Sequence, residues 1–482
     1  MTYVLAIDQS TAGTKAILFD NEGAPAYRHS LPHRQIVDKR GWVSHDPMEI
    51  YANTVGAVRG VVEKSGVPKS SIACVGISNQ RETALVWARM SGVPVMDAVV
   101  WQCNRGQAIC DRLAGSGSAI LAKTGLPLSP YFSAAKIAWV LGEAGQLQHR
   151  DLCAGTVDSW LIYKLTGGKC FYTDYSNASR TQLMDIGALR WDEDICSLFN
   201  IKPSMLPEIR DSDGCFGETD FEGFFDSPIP IHAALGDSHA ALFGQGCDRV
   251  GMAKATYGTG SSVMMNVGPK KVPSSKGLAA SLAWRMGGLA TYVLEGNINY
   301  SCAVIKWLVD SLGLLASDRE AGAVAGAANP MDSTYIVPAF TGLGAPHWKP
   351  DAKALIRGMT RTTGKAEIVR AAEESIAYQI ADVVDAMSGE SGLTMQELRA
   401  DGGAANDGFL MQFQSDILNI PVAAASMADL SAFGAAAAAG IALGIYPASV
   451  TQSVTRVRYV PAMEQAARQQ KRAGWFDALA SL

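Results

Sequence analysis

The two signatures that most often announce a nucleotide-binding protein are missing from this chain. It has no G-x-x-x-x-G-K-S/T loop and no G-x-G-x-x-G fingerprint, so neither common phosphate cradle applies. No Cys-x-x-Cys pair occurs. The nine cysteines (74, 103, 110, 153, 170, 196, 215, 247 and 302) form no Cys/His cluster at metal-ligand spacing, which excludes a zinc ribbon and a disulfide framework. Reduced thiols, each packed as a small buried hydrophobe in a cytosolic protein, are the expectation. Basic residues are not in excess: 41 Lys and Arg against 46 Asp and Glu give a formal net charge of −5, which argues against a nucleic-acid partner. The start, MTYVLAID, has no positive n-region and no cleavage site, so no secretory leader is read. The longest uncharged helical stretch, "LSAFGAAAAAGIALGIY" (430–446), is too rich in Ala and Gly to insert in a membrane, and close packing of small residues inside a domain is expected there.

What is present is a globular α/β pattern. At 482 residues, with 48% hydrophobic and 18% charged residues, the chain exceeds one comfortable core, and two domains of roughly 200–250 residues follow. Strands alternate with helical stretches throughout. Both halves open alike. "VLAIDQSTAGTKAILFD" (4–20) reads as strand, small polar turn, strand, and "GMAKATYGTGSSVMMNVG" (251–268) repeats the form with slight identity, as two similar units facing each other across a cleft would. The boundary is placed near residue 245, giving domains 1–245 and 246–482. "SHDPMEIYANTVGAVRGVVEKSG" reads as a helix capped by Asp46, with Pro47 in its first turn and Glu49 at the capping-box position. Ile50, Val55, Val58 and Val62 then keep helical spacing. "IACVGISNQRE" (72–82) reads as a buried strand delivering polar residues at its end, and "AEIVRAAEESIAYQIADVVDAM" (366–387) as a long amphipathic helix.

Three small-residue turns stand out, at 8–15, 257–262 and 401–408. Turns of Gly, Ser and Thr point backbone N–H groups and hydroxyls into one concavity, which suits phosphate oxygens, although most such turns merely reverse the chain. In the third, Gly402-Gly403 precedes a helix expected to bury Phe409, Leu410, Phe413, Ile417 and Leu418. A glycine pair there either lets a nucleotide approach the positive end of the helix dipole or simply tightens a strand-to-helix connection. Asp8 and Asp237 each end a strand. Each is either a cap for a following helix or, one per phosphate-type turn, a carboxylate that holds Mg²⁺ and orients an attacking hydroxyl. Asp237-Ser238-His239 is not a hydrolase triad, because adjacent residues cannot form that relay, and His239 is read as structural. Arg81 and Glu82 form either a solvated salt bridge or, in a cleft with Trp101 and Tyr131, donors, acceptors and carbon-covering rings for a small polyol or sugar.

Several stretches carry a resemblance: "GWVSHDPMEI", "SNQRETALVW", "VVWQCNR", "PYFSAAKIAWVL", "GTVDSWLIYKLTGG", "TDYSNASRT", "YGTGSS", "PAFTGLGAPHWKPDAKALIRGMTR" and "FLMQFQSDIL". In content and order they resemble the FGGY carbohydrate kinase family over nearly the whole chain. The resemblance implies an α/β protein of two actin-like (ribonuclease-H-like) ATPase domains facing each other across a catalytic cleft that holds ATP and Mg²⁺. It implies that Ser10, Thr11, Ala12, Gly13, Thr14 and Lys15 form one jaw of a phosphate clamp, with Gly258 and Thr259 in the other. Gly403, Ala404 and Asp407 would border the adenosine, and Asp8 and Asp237 would lie near the metal. Asp237 would be the general base for the substrate's terminal hydroxyl, with Arg81, Glu82, Trp101, Tyr131 and Ser238 completing the polyol site. The activity implied is ATP-dependent phosphorylation of a small polyol, with glycerol the best single substrate, by a cytoplasmic homo-oligomer (dimer or tetramer).

The chain also departs from the family pattern. Ser238 stands where a Gln is usual and Ser262 where a Phe is usual, which makes the pocket roomier and more polar. The segment "EGNINYSC" (295–302) replaces smaller, more apolar residues. Asp407 stands in place of Asn, and the first turn has fewer hydroxyls and Lys15 in place of Arg. A longer substrate such as erythritol, threitol, xylulose or ribulose is therefore the alternative expectation. A non-catalytic actin-like nucleotide-binding scaffold and a sugar sensor are the remaining ones. "DFEGFFDSPIPIH" carries neither a recognisable loop for fructose 1,6-bisphosphate nor a phosphorylatable histidine of the kind some relatives use, so control by either route is not expected.

Overall fold

The computed structural model describes residues 1–145 and 151–482. Each half of the chain builds a mixed sheet to the same plan. In the first, the order is Glu218–Thr219, Ile229–Gly236, Ile72–Asn79, Tyr3–Gln9, Gly13–Phe19 and Pro25–Pro32. The strands at 3–9, 13–19 and 25–32 form an antiparallel meander, while those at 3–9, 72–79 and 229–236 run parallel. In the second, the order is Ala279–Met286, Leu289–Ile298, Ser261–Gly268, Ala253–Tyr257, Leu398–Asp401, Val422–Ala425 and Arg456–Tyr459. Again an antiparallel run (289–298, 261–268, 253–257) continues into a parallel one (253–257, 398–401, 422–425). The likeness between 4–20 and 251–268 is thus a repeat of strand order, with little identity needed to sustain it.

Central parallel strands are covered on both faces and so read as continuous apolar runs; Val4, Leu5, Ala6 and Ile7 are completely buried. Parallel neighbours need crossovers, which helices supply. Pro47–Ser65 and Lys365–Ser391 take equivalent places in the two halves. In the first of these Asp46 accepts the Met48 N–H at 2.8 Å and Gly66, at φ +66°, ends the helix. Glu49 does not close a capping box: its carboxylate accepts the backbone N–H and the Nε–H of Arg34, both at 3.2 Å.

The small-residue stretch forms the helix Leu430–Ala442, which lies between the two halves rather than inside one. It packs on the helix Asp237–Gly244 and on the strands at 3–9 and 72–79. A Cβ on Gly434 would fall 1.8 Å from the Ala240 carbonyl oxygen, and one on Gly76 would fall 2.3 Å from that of Ala435. The glycines therefore permit a backbone-to-backbone approach that binds the halves together. No helix of the described residues is long and apolar enough to cross a membrane. All nine cysteines are free, but not all are buried: Cys215 is exposed, and Cys170 and Cys302 are partly so.

The register decides where chemistry can happen. Gln9 and Gly236 both lie opposite Asn79, so three parallel strands of the first sheet end at one edge. In the second sheet Thr256 lies opposite Asp401. Crevices at the carboxyl ends of such strands are where open α/β sheets bind ligands.

Candidate active site

Asp8 is the next-to-last residue of its strand, and the hairpin turn that follows leaves no helix for it to cap. Its carboxylate accepts the Ser78 Oγ–H at 3.1 Å and lies 3.6 Å from Lys15 Nζ. Burial pushes its pKa up; Lys15 opposes this, and the nearby Asp237 charge adds to it. Asp237 opens the helix Asp237–Gly244. Its Oδ1 accepts the Ser238 N–H at 2.6 Å and lies 3.2 Å from Arg81 Nε. The two carboxylates of the sequence pattern are therefore neighbours, one from each of two strand ends.

The first turn is shaped by Gly13, where a Cβ would lie 2.5 Å from the Leu31 carbonyl oxygen. The Ser10 hydroxyl donates to the Gly13 carbonyl at 2.9 Å, and Thr11 Oγ1 accepts the Trp101 indole N–H at 2.9 Å. Ala12 sits exposed at the tip. Thr14 behaves differently from its neighbours, because its buried hydroxyl is engaged with His33 Nε2 at 2.9 Å. Lys15 bridges the halves, with Nζ 3.0 Å from Asp429 Oδ1. Burial alone would lower the Lys15 pKa, but the Asp8 and Asp429 carboxylates outweigh it and raise it.

Arg81 is no surface salt bridge. Its guanidinium donates to both oxygens of Glu295, at 2.9 and 2.8 Å, from a position only 6% exposed. Gly236 makes room: a Cβ there would sit 2.7 Å from Arg81 Cγ. Arg180 pairs with Glu82 at 2.6 Å and with Glu295 at 2.9 Å, both its partners being buried. Burial would raise the Glu295 pKa, yet the Arg180 and Arg81 guanidiniums hold it well below the usual carboxylate range. The backbone of Glu82 is at φ +59°, a left-handed conformation that is costly for a side-chain-bearing residue and recurs at functional sites.

Trp101 and Tyr131 meet edge to face, 5.8 Å between ring centroids, forming an aromatic wall beside this network. Behind it lies Lys136, completely buried, whose ammonium donates to the carbonyls of Pro130 (2.8 Å), Tyr131 and Phe132 (3.3 Å). His239 is buried, with Nε2 3.4 Å from Ser281 Oγ, and burial drives its pKa well down. It is a buried packing residue.

On the other side of Asp237, a cavity of about 200 Å³ is bordered by Ser238, Lys254, Thr256, Asp401, Gly402 and Ser431. Gly402 is at φ +93°, and a Cβ would lie 2.3 Å from the Tyr257 carbonyl oxygen, so the second and third turns touch. The second turn is fastened from behind: the N–H groups of Ser301 and Ala303 bond to the Thr259 carbonyl, and that of Cys302 to the Gly258 carbonyl. Gly403 and Ala404 lie in the single turn Gly403–Asn406. The Asp407 carboxylate caps the helix Gly408–Leu418, accepting the N–H groups of Phe409 (2.8 Å) and Leu410 (3.1 Å). Of the expected buried face of that helix, Leu410, Phe413 and Ile417 are buried, whereas Phe409 and Leu418 are half-buried.

The sequence assigns no role to Arg180, Glu295, Lys254, Asp401 or Asp429, although Glu295 and Asp401 open the marked stretches 295–302 and 401–408. A signal existed for Glu295, a lone carboxylate inside the apolar run "TYVLEGNI". Arg180, Asp401 and Asp429 declare themselves only through partners far away in the chain, and Lys254, bonded to the nearby Thr256, only through the cavity it borders.

Comparison with known proteins finds similarity over almost the whole chain. The models of the N-terminal and C-terminal domains of the FGGY family of carbohydrate kinases match residues 3–244 and 253–443. The chain is 46% identical to glycerol kinase 1 of Thermotoga maritima, with 100% of this chain and 99% of that one covered. Its fold superposes on the crystal structure of Plasmodium falciparum glycerol kinase with ADP at a TM-score of 0.94 and 34% identity, covering 100% and 98% of the two chains. A xylulose kinase from Lactobacillus acidophilus shares the fold, with a TM-score of 0.89 at 21% identity over 100% of this chain and 98% of that one.

Proposed function

The chain belongs to the FGGY family of carbohydrate kinases, and from that premise we propose that it transfers the γ-phosphoryl group of ATP to a terminal hydroxyl of glycerol. The observation that carries this reading is the position of Asp237. Its carboxylate touches Arg81 of the buried charge network on one side and borders the small-residue cavity on the other. A hydroxyl held there meets a base and a phosphate site at once.

Phosphoryl transfer asks a protein for positioning and charge neutralisation more than for covalent help. Arg81 and Glu82 hold vicinal hydroxyls of the polyol, while Trp101 and Tyr131 cover its carbon face. The terminal oxygen attacks the γ-phosphorus; the new O–P bond forms as the bond to ADP breaks, and the hydroxyl proton passes to Asp237. The proton moves late, once bond formation has made the hydroxyl acidic. Ser10, Thr11, Gly13 and Lys15 face the phosphates from one domain, and Gly258 and Thr259 from the other. Gly403, Ala404 and Asp407 border the adenosine.

Asp8 and Asp237 are the residues that would hold Mg²⁺, which supplies charge neutralisation between the phosphates. The donor set fits: Asp8 and Asp237 are neighbouring carboxylates at the ends of two strands. Mg²⁺ characteristically takes one or two carboxylates and completes its shell with phosphate oxygens and water. The same reading divides the chain near residue 245, places the enzyme in the cytoplasm where ATP is made available, and includes a homo-oligomer, which light scattering would size. The decisive experiment is ADP release with ATP, Mg²⁺ and glycerol, using Asp237→Ala as the blank. Glycerol-dependent ADP release that the variant lacks is expected. ADP release that ignores glycerol would overturn the assignment.

A further inference from the structure

Beside the charge network lies a cavity of about 310 Å³, more space than a three-carbon polyol occupies. It shares Tyr131 with the proposed polyol site and Arg180 and Glu295 with the charge network that holds Arg81 and Glu82, so it continues that site rather than standing apart from it. Its floor is one face of the strand Leu289–Ile298 and the residue just beyond it: Glu295, Asn297 and Asn299 alternate and therefore point the same way. Ser262 lies directly opposite Asn297 across the ladder, and its hydroxyl donates to Glu295 Oε1 at 3.0 Å.

Three features make this a built site rather than leftover space. Asparagine is disfavoured inside strands, yet Asn297 stands there, and neither its carboxamide nor that of Asn299 has a hydrogen-bond partner among the described residues. Arg180, 99% buried, lines the cavity with its Nη2 also unpartnered. An unpaired buried donor such as Arg180 Nη2 is costly unless a ligand or water satisfies it. The half-buried Asn297 and the exposed Asn299 present free carboxamides to the same space. Trp348 stands at the rim, its indole N–H bonded to the Gly277 carbonyl at 3.2 Å, and gives the cavity an aromatic side. Donors and acceptors converging under an aromatic plane suit a chain of hydroxylated carbons.

We propose that this cavity is a second subsite, built on Asn297, Asn299 and Arg180, which takes the distal hydroxyls of a linear polyol or ketose of four or five carbons. The inference rests on the kinase reading above. The terminal hydroxyl at Asp237 is phosphorylated as before, with ADP leaving and the proton going to Asp237, and the remaining carbons run past Glu295 into the cavity. Ser262, bonded to Glu295, puts a small side chain beside that route where the family usually has Phe.

The test is kcat/KM with ATP and Mg²⁺ for glycerol, erythritol, the threitols, xylitol, ribitol, xylulose and ribulose, in the full-length protein and in Asn297→Leu and Asn299→Leu. At least one longer compound is expected to equal or exceed glycerol. Its kcat/KM relative to glycerol is expected to fall at least about tenfold in one of the variants, because a site built to hydrogen-bond a hydroxyl discriminates strongly. Asn299, the more exposed of the two, gives a variant that folds even if Asn297→Leu does not. If every longer compound falls below glycerol, or the ratio survives both substitutions, the subsite is wrong while glycerol turnover leaves the kinase reading standing. Absence of turnover with every compound would instead overturn the kinase reading itself.

Discussion

Asp237 and Glu295 are both carboxylates touching Arg81, yet they do different work because only one is sealed from water. Glu295 is 1% exposed between two guanidiniums, whereas Asp237 has an open side chain at a helix start. Asp237→Asn keeps the shape and removes the base, so kcat is expected to fall about 10²–10⁴-fold, the usual contribution of general-base catalysis, in a steady-state assay with glycerol. Glu295→Gln leaves Arg81 only Asp237 and Arg180 only Glu82 as charged partners, and breaking a buried pair costs up to about 3–5 kcal/mol. Chemical denaturation would read that loss. The sign with pH follows from the depressed Glu295 pKa. The stability it contributes is present above the unfolded value near 4.5 and drains away as pH falls through the folded one. Acid unfolding of the variant is therefore expected to lack that part of the decline. Of this network only Arg81 and Glu82 were legible in the sequence as candidates. Arg180 and Glu295 lie about 100 and 214 residues from Arg81, beyond the reach of any local pattern.

At the scale of elements, glycine and cap positions set the turns. Gly402 combines φ +93° with the 2.3 Å approach to Tyr257, so Gly402→Ala must push the second and third turns apart. A raised KM for ATP with a smaller change in KM for glycerol is expected from initial-rate kinetics. Asp407→Ala removes the cap of Gly408–Leu418, a loss of about 0.5–2 kcal/mol, measurable as a lower thermal midpoint. Most elements were readable from apolar periodicity: the Pro47–Ser65 and Lys365–Ser391 helices lie where their spacing puts them, to within a few residues. The use of Glu49 was not, because Arg34 competes for its carboxylate from a neighbouring segment.

Over the whole molecule, two sheets of equal plan meet through the Leu430–Ala442 helix, and among the described residues ion pairs cross between the halves at three places. Lys15 reaches Asp429, Arg81 and Arg180 reach Glu295, and Arg285 reaches Asp211. The first crossing is partly exposed, with the Lys15 side chain 35% accessible, and therefore open to ionic screening. Asp429→Asn is expected to raise KM for ATP and to weaken the salt dependence of that constant. Small-angle scattering with glycerol and a non-hydrolysable ATP analogue is expected to show a smaller radius of gyration than the free protein, since closing domains exclude water from the transfer. An unchanged radius would argue that the cleft is already closed.

The sequence by itself determined the α/β alternation, the twofold plan and the polar turns at strand ends, because apolar period and turn chemistry are local properties. It also carried the family resemblance, because its long motifs keep their order. Which carboxylates face each other, which cations are buried with them, and where the small-residue helix packs were decided only by tertiary structure. Register across parallel strands brings Asp8, Asn79 and Gly236 to one edge, and a partner's desolvation depends on everything packed around it. A run such as "LSAFGAAAAAGIALGIY" says that close approach is possible. Only the opposing backbones of Ala240 and Gly76 say what is approached.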